Sequence, residues 1–344
     1  MTENAFQLKK EKKMSEKEYY LEGNILVTGG AGFIGSNLTR KLVNVTIGNI
    51  VVIDNLALKA IGGRQYGLML LKDIPENKYK LIVEDASNFS KMKEIIRKEN
   101  ISIVFNLAIL PLPLALKKPK YVFDKNTRIA STLAELLRKE YYDVLIHFSS
   151  SEVYGSAKYV PMDENHPLEP STAYGASKAA QDLLLLSYYM TYGVDVRIIR
   201  PFNNIGPAQN DFSYSAVVPR TIRRILEGKA PEIYGDGLQT RDFIYVEDTC
   251  EAAIRMAKLS HLKGQVVNIA SGRETKIKDL IMKICEMMNY SGRIIYRPPR
   301  PGDIRRHFAS IAKANELLQF RPKYSLEEAL AKTIDFYKSV YKNR

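Results

Sequence analysis

The chain reads as an α/β protein, a doubly wound parallel sheet carrying a smaller C-terminal lobe. Three observations predict this. Short apolar runs alternate with helical patterns through most of the chain up to about residue 190, the rhythm of β-α-β units. Near the N-terminus a glycine turn joins the first apolar run to the first helix. Several runs end in small or acidic polar residues, where open α/β sheets gather their ligands.

The first element is the stretch NILVTGGAGFIGS, Asn24–Ser36. Ile25, Leu26 and Val27 form the apolar run of a strand covered on both faces. Gly29, Gly32 and Gly35 follow in a G-x-x-G-x-x-G spacing, a relative of the Rossmann-type dinucleotide fingerprint. Glycines there permit a tight turn and let the backbone approach a pyrophosphate at the helix N-terminus. A helix is expected over roughly Gly35–Val43, then a strand Ile50–Ile53 ending in Asp54. An acid about 20 residues beyond the glycines is placed to accept both ribose hydroxyls of an adenosine, and its charge disfavours a 2′-phosphate. NAD is therefore expected rather than NADP.

Residues 56–78 read as loop and helix, followed by a third strand at Tyr79–Val83. Asp85 then has two readings: a hydrogen bond to an adenine amino group, or a cap on a helix at Lys91–Lys98. A fourth strand spans Ile101–Leu107, with Ala108 allowing close passage of a cofactor, and a helical pattern covers Asn126–Leu137. Val144–Phe148 is the fifth strand. It ends in the polar cluster Ser149-Ser150-Ser151-Glu152-Val153-Tyr154-Gly155. Twenty residues after Tyr154 comes Tyr174-Gly-Ala-Ser-Lys178, at the opening of a helix expected over Ser177–Tyr189. Tyr and Lys at i and i+4 share a helix face, and an ammonium near a phenol lowers its pKa from about 10 toward the working pH. A phenol so tuned exchanges a proton with a sugar hydroxyl while hydride leaves the same carbon. Further strands are expected at Val194–Ile199, Phe243–Val246 and Val266–Ile269, divided between the main sheet and the lobe.

Composition narrows the class. The 344 residues are 45% hydrophobic and 26% charged, with no apolar run long enough for a membrane span. The N-terminal stretch is charged and lacks the apolar core of a signal peptide, so a cytoplasmic protein is expected. Two distant cysteines, Cys250 and Cys285, and four unclustered histidines suggest neither a disulfide framework nor a metal site. The net charge of +13 is dispersed, apart from Lys9–Lys17 and the cluster near Arg297–Arg306. With no nucleic-acid motif, it fits small phosphorylated anions better than RNA or DNA.

In order along the chain stand TGGAGFIGS (28–36), VIDNL (52–56), SSSEVYG (149–155), YGASK (174–178), RPFNNIGP (200–207), GDGLQTRDFIYVED (235–248) and RPPRPGDIRRHFA (297–309). On these motifs the chain resembles the extended short-chain dehydrogenase/reductase family, in its nucleotide-sugar epimerase/dehydratase branch, from about Asn24 to about Tyr337. The resemblance implies a Rossmann-like domain over residues 21–207, with strands from 236–271, and a nucleotide-sugar lobe over 208–235 and 272–344. Residues 1–20 remain a charged extension. It implies Tyr174 as the acid/base, Lys178 as its electrostatic partner and ribose contact, and Ser150 as the hydroxyl on the sugar 4-position. Gly29, Gly32, Phe33, Ile34 and Gly35 would line the NAD pyrophosphate, and Asp54 and Asn55 its adenosine ribose. Asp85, Ala86, Leu107, Ala108, Asn126, Ser149 and Pro201 complete the implied cofactor contacts. Ser151, Asn203, Arg241, Arg300 and Asp303 would hold a nucleotide-diphosphate sugar, the arginines clamping its diphosphate. Helices around Ile129–Leu137 and Leu183–Leu186 would form a homodimer.

Two departures bear on the chemistry. Asn106-Leu-Ala replaces the commoner His-Leu-Ala-Ala form, an exchange expected to be tolerated. Residues 109–118, ILPLPLALKK, are unusually apolar and are expected near the nicotinamide, shaping the sugar pocket. Every branch of this family starts by oxidising sugar C4 to a ketone. Ser150-Ser151-Glu152 resembles the Thr-Ser-Glu of dehydratases and uronic acid decarboxylases, which makes Glu152 a candidate base at C5. Ser151 stands where glucose dehydratases carry an acid, and the C-terminal motifs suit epimerases equally. The resemblance thus leaves 4,6-dehydratase, UDP-sugar 4-epimerase and uronic acid decarboxylase open. A non-catalytic dinucleotide-binding scaffold is disfavoured because Ser150, Tyr174 and Lys178 are all present.

Overall fold

The computed structural model describes residues 20–58, 64–212, 215–299 and 304–342. Its strands are β1 (Asn24–Thr28), β2 (Ile50–Asp54), β3 (Tyr79–Val83), β4 (Ile101–Asn106), β5 (Val144–Phe148), β6 (Asp195–Pro201) and β7 (Asn203–Ile205). These are followed by β8 (Glu232–Tyr234), β9 (Thr240–Arg241), β10 (Phe243–Tyr245), β11 (Val266–Ile269), β12 (Thr275–Lys276) and β13 (Ile295–Arg297). Seven of them form one sheet in the order β11-β6-β5-β4-β1-β2-β3, and every neighbouring pair is parallel. The strand order reverses at β1, between β2 and β4. A crevice therefore opens beyond the carboxyl ends of β1 and β4.

The period of two along each strand splits the core. Ile25, Val27, Ile50, Val52 and Phe105 enter one apolar cluster, while Leu26, Val51, Ile53 and Val104 enter another on the opposite face. Helices α1 (Phe33–Leu42) and α2 (Tyr66–Lys72) cover the first face with Leu38, Leu42, Leu70 and Leu71. Helix α3 (Phe89–Lys98) brings Met92 and Ile96 to the second. After the single turn α4 (Leu112–Ala115), the long α5 (Pro119–Arg138) and α6 (Ala173–Tyr192) pack side by side on that same face. Both are longer than expected. Pro119 opens α5, where a missing N–H costs nothing. Thr172 caps α6, its hydroxyl accepting from Gly175 N at 3.0 Å, so Tyr174 lies inside the first turn.

The apolar stripes proposed for subunit contact divide. Ile129, Leu133, Leu137 and Leu185 are buried within the chain, whereas Leu183 is 59% exposed. The ordinary role of packing on the sheet takes the Ile129–Leu137 stripe.

Beyond β6 the chain builds the lobe: α7 (Val217–Leu226), then α8 (Val246–Lys258) back on the first face of the sheet, then α9 (Ile277–Met287). The last helices, α10 (Ala312–Leu318) and α11 (Leu326–Lys342), close the chain. Of the two later strands expected to join a sheet, β11 extends the main one beside β6, while β10 pairs with β7 in a two-stranded ribbon. Pairs β8–β13 and β9–β12 belong to the lobe. Its apolar residues Ile222, Ile233, Leu280 and Ile284 belong to the same cluster as Val27 and Val52 of the main sheet. Among the described residues no helix is long and apolar enough to cross a membrane.

Candidate active site

The glycine turn lies at the strand switch. Gly29 has φ +67°, and a Cβ there would fall 2.7 Å from Ala108 N. A Cβ on Gly35 would fall 2.3 Å from Gly29 O. These contacts put the turn against the end of β4 and bring α1 down onto the strand, which only glycine permits. Gly32 is the N-cap of α1, and no side chain caps it. Phe33 and Ile34 form its half-buried first turn. Asp54 closes β2 from the other side, accepting Ala31 N at 3.1 Å and Leu56 N at 2.8 Å. Burial pushes its carboxyl up against the pull of those two backbone N–H groups. Asn55 is exposed beside it, its side chain accepting from Ala57 N.

A dinucleotide fits this cradle. The crevice has backbone close on both sides, an anion-facing helix start, and a carboxylate placed for a ribose and against a 2′-phosphate.

Asp85 accepts from Ser87 N at 2.9 Å and from Ser87 Oγ at 2.8 Å, and it is ion-paired with Lys125. Burial pushes its carboxyl up, but Lys125 and Ser87 together outweigh that and hold it below the usual range. It does not cap α3; Asn88 does, accepting from Lys91 N. That expectation is corrected: Asn88 immediately precedes the helix, where a side-chain oxygen reaches the free N–H groups of the first turn. Ala86 is buried in the second apolar cluster. Asn126 is wholly buried, joining Leu110 N at 2.7 Å, Leu110 O at 3.1 Å and Ser177 Oγ at 3.1 Å. Its amide thereby ties the apolar 109–118 loop to α6.

The polar ends of β5 and α6 meet. Ser150 caps a 3-10 turn over Ser151–Val153 and accepts from Glu152 N at 3.2 Å. Tyr174, from the first turn of α6, lies near the Ser150 side chain, which favours its ionised form. Burial, with Ser150 opposing it and the nearby Glu152 carboxylate adding to it, pushes the Tyr174 phenol up to about 12. Lys178, one turn later, is only 2% exposed and donates to Phe148 O at 2.7 Å. Burial lowers its pKa to about 7, opposed by the Asp182 carboxylate. The expectation that Lys178 brings the phenol toward the working pH is thus corrected for the chain alone. The ammonium is turned to a main-chain carbonyl and is itself depressed.

Leu110, Leu114, Ala115 and Val122 form a small cluster against Ala173 and Tyr174, so the apolar loop does border the tyrosine. Ser149 donates to Asp182 Oδ2 at 2.8 Å and is buried. Ser151 is buried too, its carbonyl 3.3 Å from His307 Nε2. Asn106, the departure from the commoner motif, is fully accommodated, accepting from Thr28 Oγ1 at 2.8 Å and donating to His147 Nδ1 at 3.0 Å. Leu107 N donates to Thr28 O at 3.1 Å, and Pro201 ends β6 buried beside Ile269.

A second cavity of about 270 Å³ lies in the lobe. Asn203 and Arg241 both line it, with Arg220, Tyr234 and Gln239. Asn203 Nδ2 donates to Asp242 O at 3.1 Å, and Arg241 is braced on Thr240 O and Ile304 O at 2.8 and 2.6 Å. Arg300 and Asp303 lie outside the described residues. Sequence reasoning missed Arg220, whose guanidinium stacks 4.9 Å over Tyr234, and His307. Arg220 faces the cavity from the amphipathic α7, so the helical period over Val217–Leu226 was the available signal. His307 is 1% exposed; burial, then the charge of Arg241, pushes it down to about 4, which leaves it a neutral bridge.

Comparison with known proteins follows this geometry. Residues 26–333 match the family described as GDP-mannose 4,6 dehydratase. A putative UDP-glucose 4-epimerase of Methanocaldococcus jannaschii is 31% identical over 316 residues, spanning 92% of this chain and 98% of that protein. The structure of the UDP-N-acetylglucosamine 4-epimerase of Methanobrevibacter ruminantium M1, in complex with UDP-N-acetylmuramic acid, has a TM-score of 0.84 at 32% identity. It covers 93% of this chain and 99% of its own. The dTDP-glucose 4,6-dehydratase of Bacillus anthracis, in complex with NAD, has a TM-score of 0.80 at 30% identity, covering 92% and 97%.

Proposed function

The chain belongs to the GDP-mannose 4,6-dehydratase family of extended short-chain dehydrogenases/reductases and is an NAD-dependent nucleotide-sugar epimerase/dehydratase; we propose that it works through a 4-keto sugar, with Glu152 as base at C5. The observation that carries this reading is the meeting of Ser150, Glu152, Tyr174 and Lys178 at one end of the sheet.

Gly29, Gly32, Gly35, Asp54 and Lys178 would hold NAD, which supplies the acceptor for the hydride leaving sugar C4. Asn203 and Arg241 hold the nucleotide diphosphate in the lobe cavity, and with Arg220 and Tyr234 they orient its far end. Ser150 accepts or donates at the 4-hydroxyl and steadies the Tyr174 oxygen. Tyr174 takes the hydroxyl proton as the C4–H bond breaks, giving a ketone. The ketone acidifies the proton on C5, and Glu152 removes it; protonated Glu152 gives that proton to the departing 6-hydroxyl, which leaves as water, and the resulting C5–C6 double bond would take up the hydride at C6 and a solvent proton at C5, giving a 4-keto-6-deoxy sugar. The Leu110–Val122 cluster against Tyr174 limits water at the phenol.

Residues 21–207 with strands from 236–271 are assigned to the cofactor, and 208–235 with 272–344 to the nucleotide sugar. A cytoplasmic homodimer accompanies this reading. Its support is the exposure of Tyr121, Phe123, Leu183 and Met190 on the α5–α6 pair.

Mass spectrometry of products formed in deuterated buffer, over a panel of UDP-, dTDP- and GDP-sugars, tests it. Loss of water with deuterium fixed in the sugar, abolished in Glu152→Gln, is expected. An isobaric product without deuterium would make the chain a 4-epimerase and Glu152 a structural residue. Loss of carbon dioxide from a uronic acid would make it a decarboxylase.

A further inference from the structure

Behind the Tyr174–Lys178 face, neighbouring strands of the sheet each place a polar side chain in the interior: Thr28 on β1, Asn106 on β4, His147 on β5, Arg200 on β6 and Asn268 on β11, all buried. They fall in two hydrogen-bonded groups, Thr28–Asn106–His147 and Asp182–Arg200–Tyr154–Asn268, that face each other across a 3.9 Å gap. Asn106 Nδ2 can only donate, so its 3.0 Å contact makes His147 Nδ1 the acceptor and puts the ring proton on Nε2. That Nε2 lies 3.9 Å from Asp182 Oδ1, and neither atom has a direct hydrogen-bond partner. The other oxygen, Asp182 Oδ2, accepts from Ser149 Oγ at 2.8 Å and from Arg200 Nε at 2.9 Å. Arg200 continues to Tyr154 OH at 2.9 Å, and Tyr154 donates to Asn268 Oδ1 at 2.6 Å.

Asp182 occupies the position four residues after Lys178 on α6, one turn along the same face. Lys178 and Arg200 are both buried cations, and Asp182 pairs directly with Arg200 at 2.9 Å. The titratable groups around Lys178 are Tyr174 and Asp182 from its own helix and His147 from β5. From α5 the neighbour is the uncharged Asn126, held to Ser177. Asp182 is fully buried and fixed from two sides.

We propose that Asp182 is a positioning residue for Lys178: held by Ser149 and Arg200, its carboxylate keeps the neighbouring ammonium charged and directed toward Phe148 O and the crevice. This rests on the Tyr174/Lys178 reading above. Its direction agrees with burial depressing Lys178 and Asp182 opposing that depression. Ser149 at the end of β5 and Arg200 on β6 fix Asp182 to the sheet, so the charge behind the lysine is set by the fold and not by the ligand.

The test is the pH profile of turnover by the holoenzyme between pH 6 and 9.5, for the nucleotide sugar that the product panel identifies. In Asp182→Asn the alkaline limb moves about one unit lower, so turnover falls about tenfold at pH 8.5 and only about threefold at pH 6.5. Ser149→Ala, which loosens the carboxylate without burying an unpaired charge, moves the limb the same way by a smaller amount. An equal loss at every pH, or an unmoved limb, overturns the proposal; if Asp182→Asn does not fold, Ser149→Ala alone decides by the same criterion. Tyr174→Phe run alongside separates the two readings: retained turnover there removes the parent reading, whereas lost turnover with an unmoved limb in Asp182→Asn removes only this one. If no sugar in the panel is turned over, the pH dependence of the urea midpoint carries the same comparison, its rise beginning at lower pH in the variants.

Discussion

Two glycines share a backbone conformation but differ in surroundings, and this isolates what the dinucleotide turn demands. Gly29 has φ +67° and Gly193, at the end of α6, has φ +63°. A Cβ on Gly193 meets nothing within 4 Å, while one on Gly29 falls 2.7 Å from Ala108 N and 2.8 Å from both Ala108 Cα and Leu107 C. Gly193→Ala therefore carries only the left-handed strain, partly offset by a less flexible unfolded chain, for a net cost of about 1 kcal/mol. Gly29→Ala carries that and a clash with main chain, which cannot swing aside as a side-chain tip can. The overpacking adds about 2 kcal/mol, for about 3 kcal/mol in all. Urea unfolding of both variants against the parent, with bound NAD content matched, measures the gap. The Leu107–Ala108 wall must also retreat in Gly29→Ala, so retained NAD should fall at least tenfold in that variant alone. Equal destabilisation of the two variants, or full NAD retention in Gly29→Ala, would refute the inferred contact between the turn and the end of β4.

Other consequences follow from the site. Lys178 is depressed from 10.5 to about 7 by burial, so between those values the unfolded chain binds one proton more than the folded one. Stability must then rise with pH across that window, by at most about 5 kcal/mol; in Lys178→Met this part of the slope disappears, and identical slopes in urea titrations of the two proteins would contradict it. Tyr174→Phe should lower turnover by about a hundredfold to ten-thousandfold while NAD stays bound, checked by steady-state assay and by absorbance of the denatured supernatant. Asp54→Asn removes the charge that opposes a 2′-phosphate, so binding of NADP relative to NAD should improve about tenfold or more, measured by calorimetry on stripped protein.

The main sheet was legible because each of its strands is a compact apolar run, bounded by polar or glycine residues. Tyr79–Val83 and Val144–Phe148 match their expected limits residue for residue. Helix starts were less legible. The Thr172 cap and the Pro119 opening extend α6 and α5 beyond the limits that their apolar patterns suggest. For the site, spacing alone joined Tyr174 to Lys178. It could not show that the ammonium turns to Phe148 O, since main-chain acceptors leave no trace in a sequence. Asp85 illustrates the same limit: two readings were open, and Asn88 and Lys125, both unremarkable as letters, settled which cap the helix has and which charge the acid meets. Arg220 was hidden because one arginine on an amphipathic helix looks like any solvated charge until Tyr234 is seen beneath it.

The apolar cluster that runs without a break from Val27 of β1 to Ile284 of the lobe has a consequence for how such a protein diversifies. A lobe that shares its interior with the cofactor half is not a cassette: it cannot be exchanged for another without reopening the common interior. Change is more readily absorbed at the surface of the cavities, at positions such as Arg220, Tyr234 and the Leu110–Leu114 loop, while the shared interior stays fixed. A chimera joined at residue 207 should accordingly fail to fold unless its interior partners travel with it, whereas cleft-surface exchanges should fold as readily as the parent.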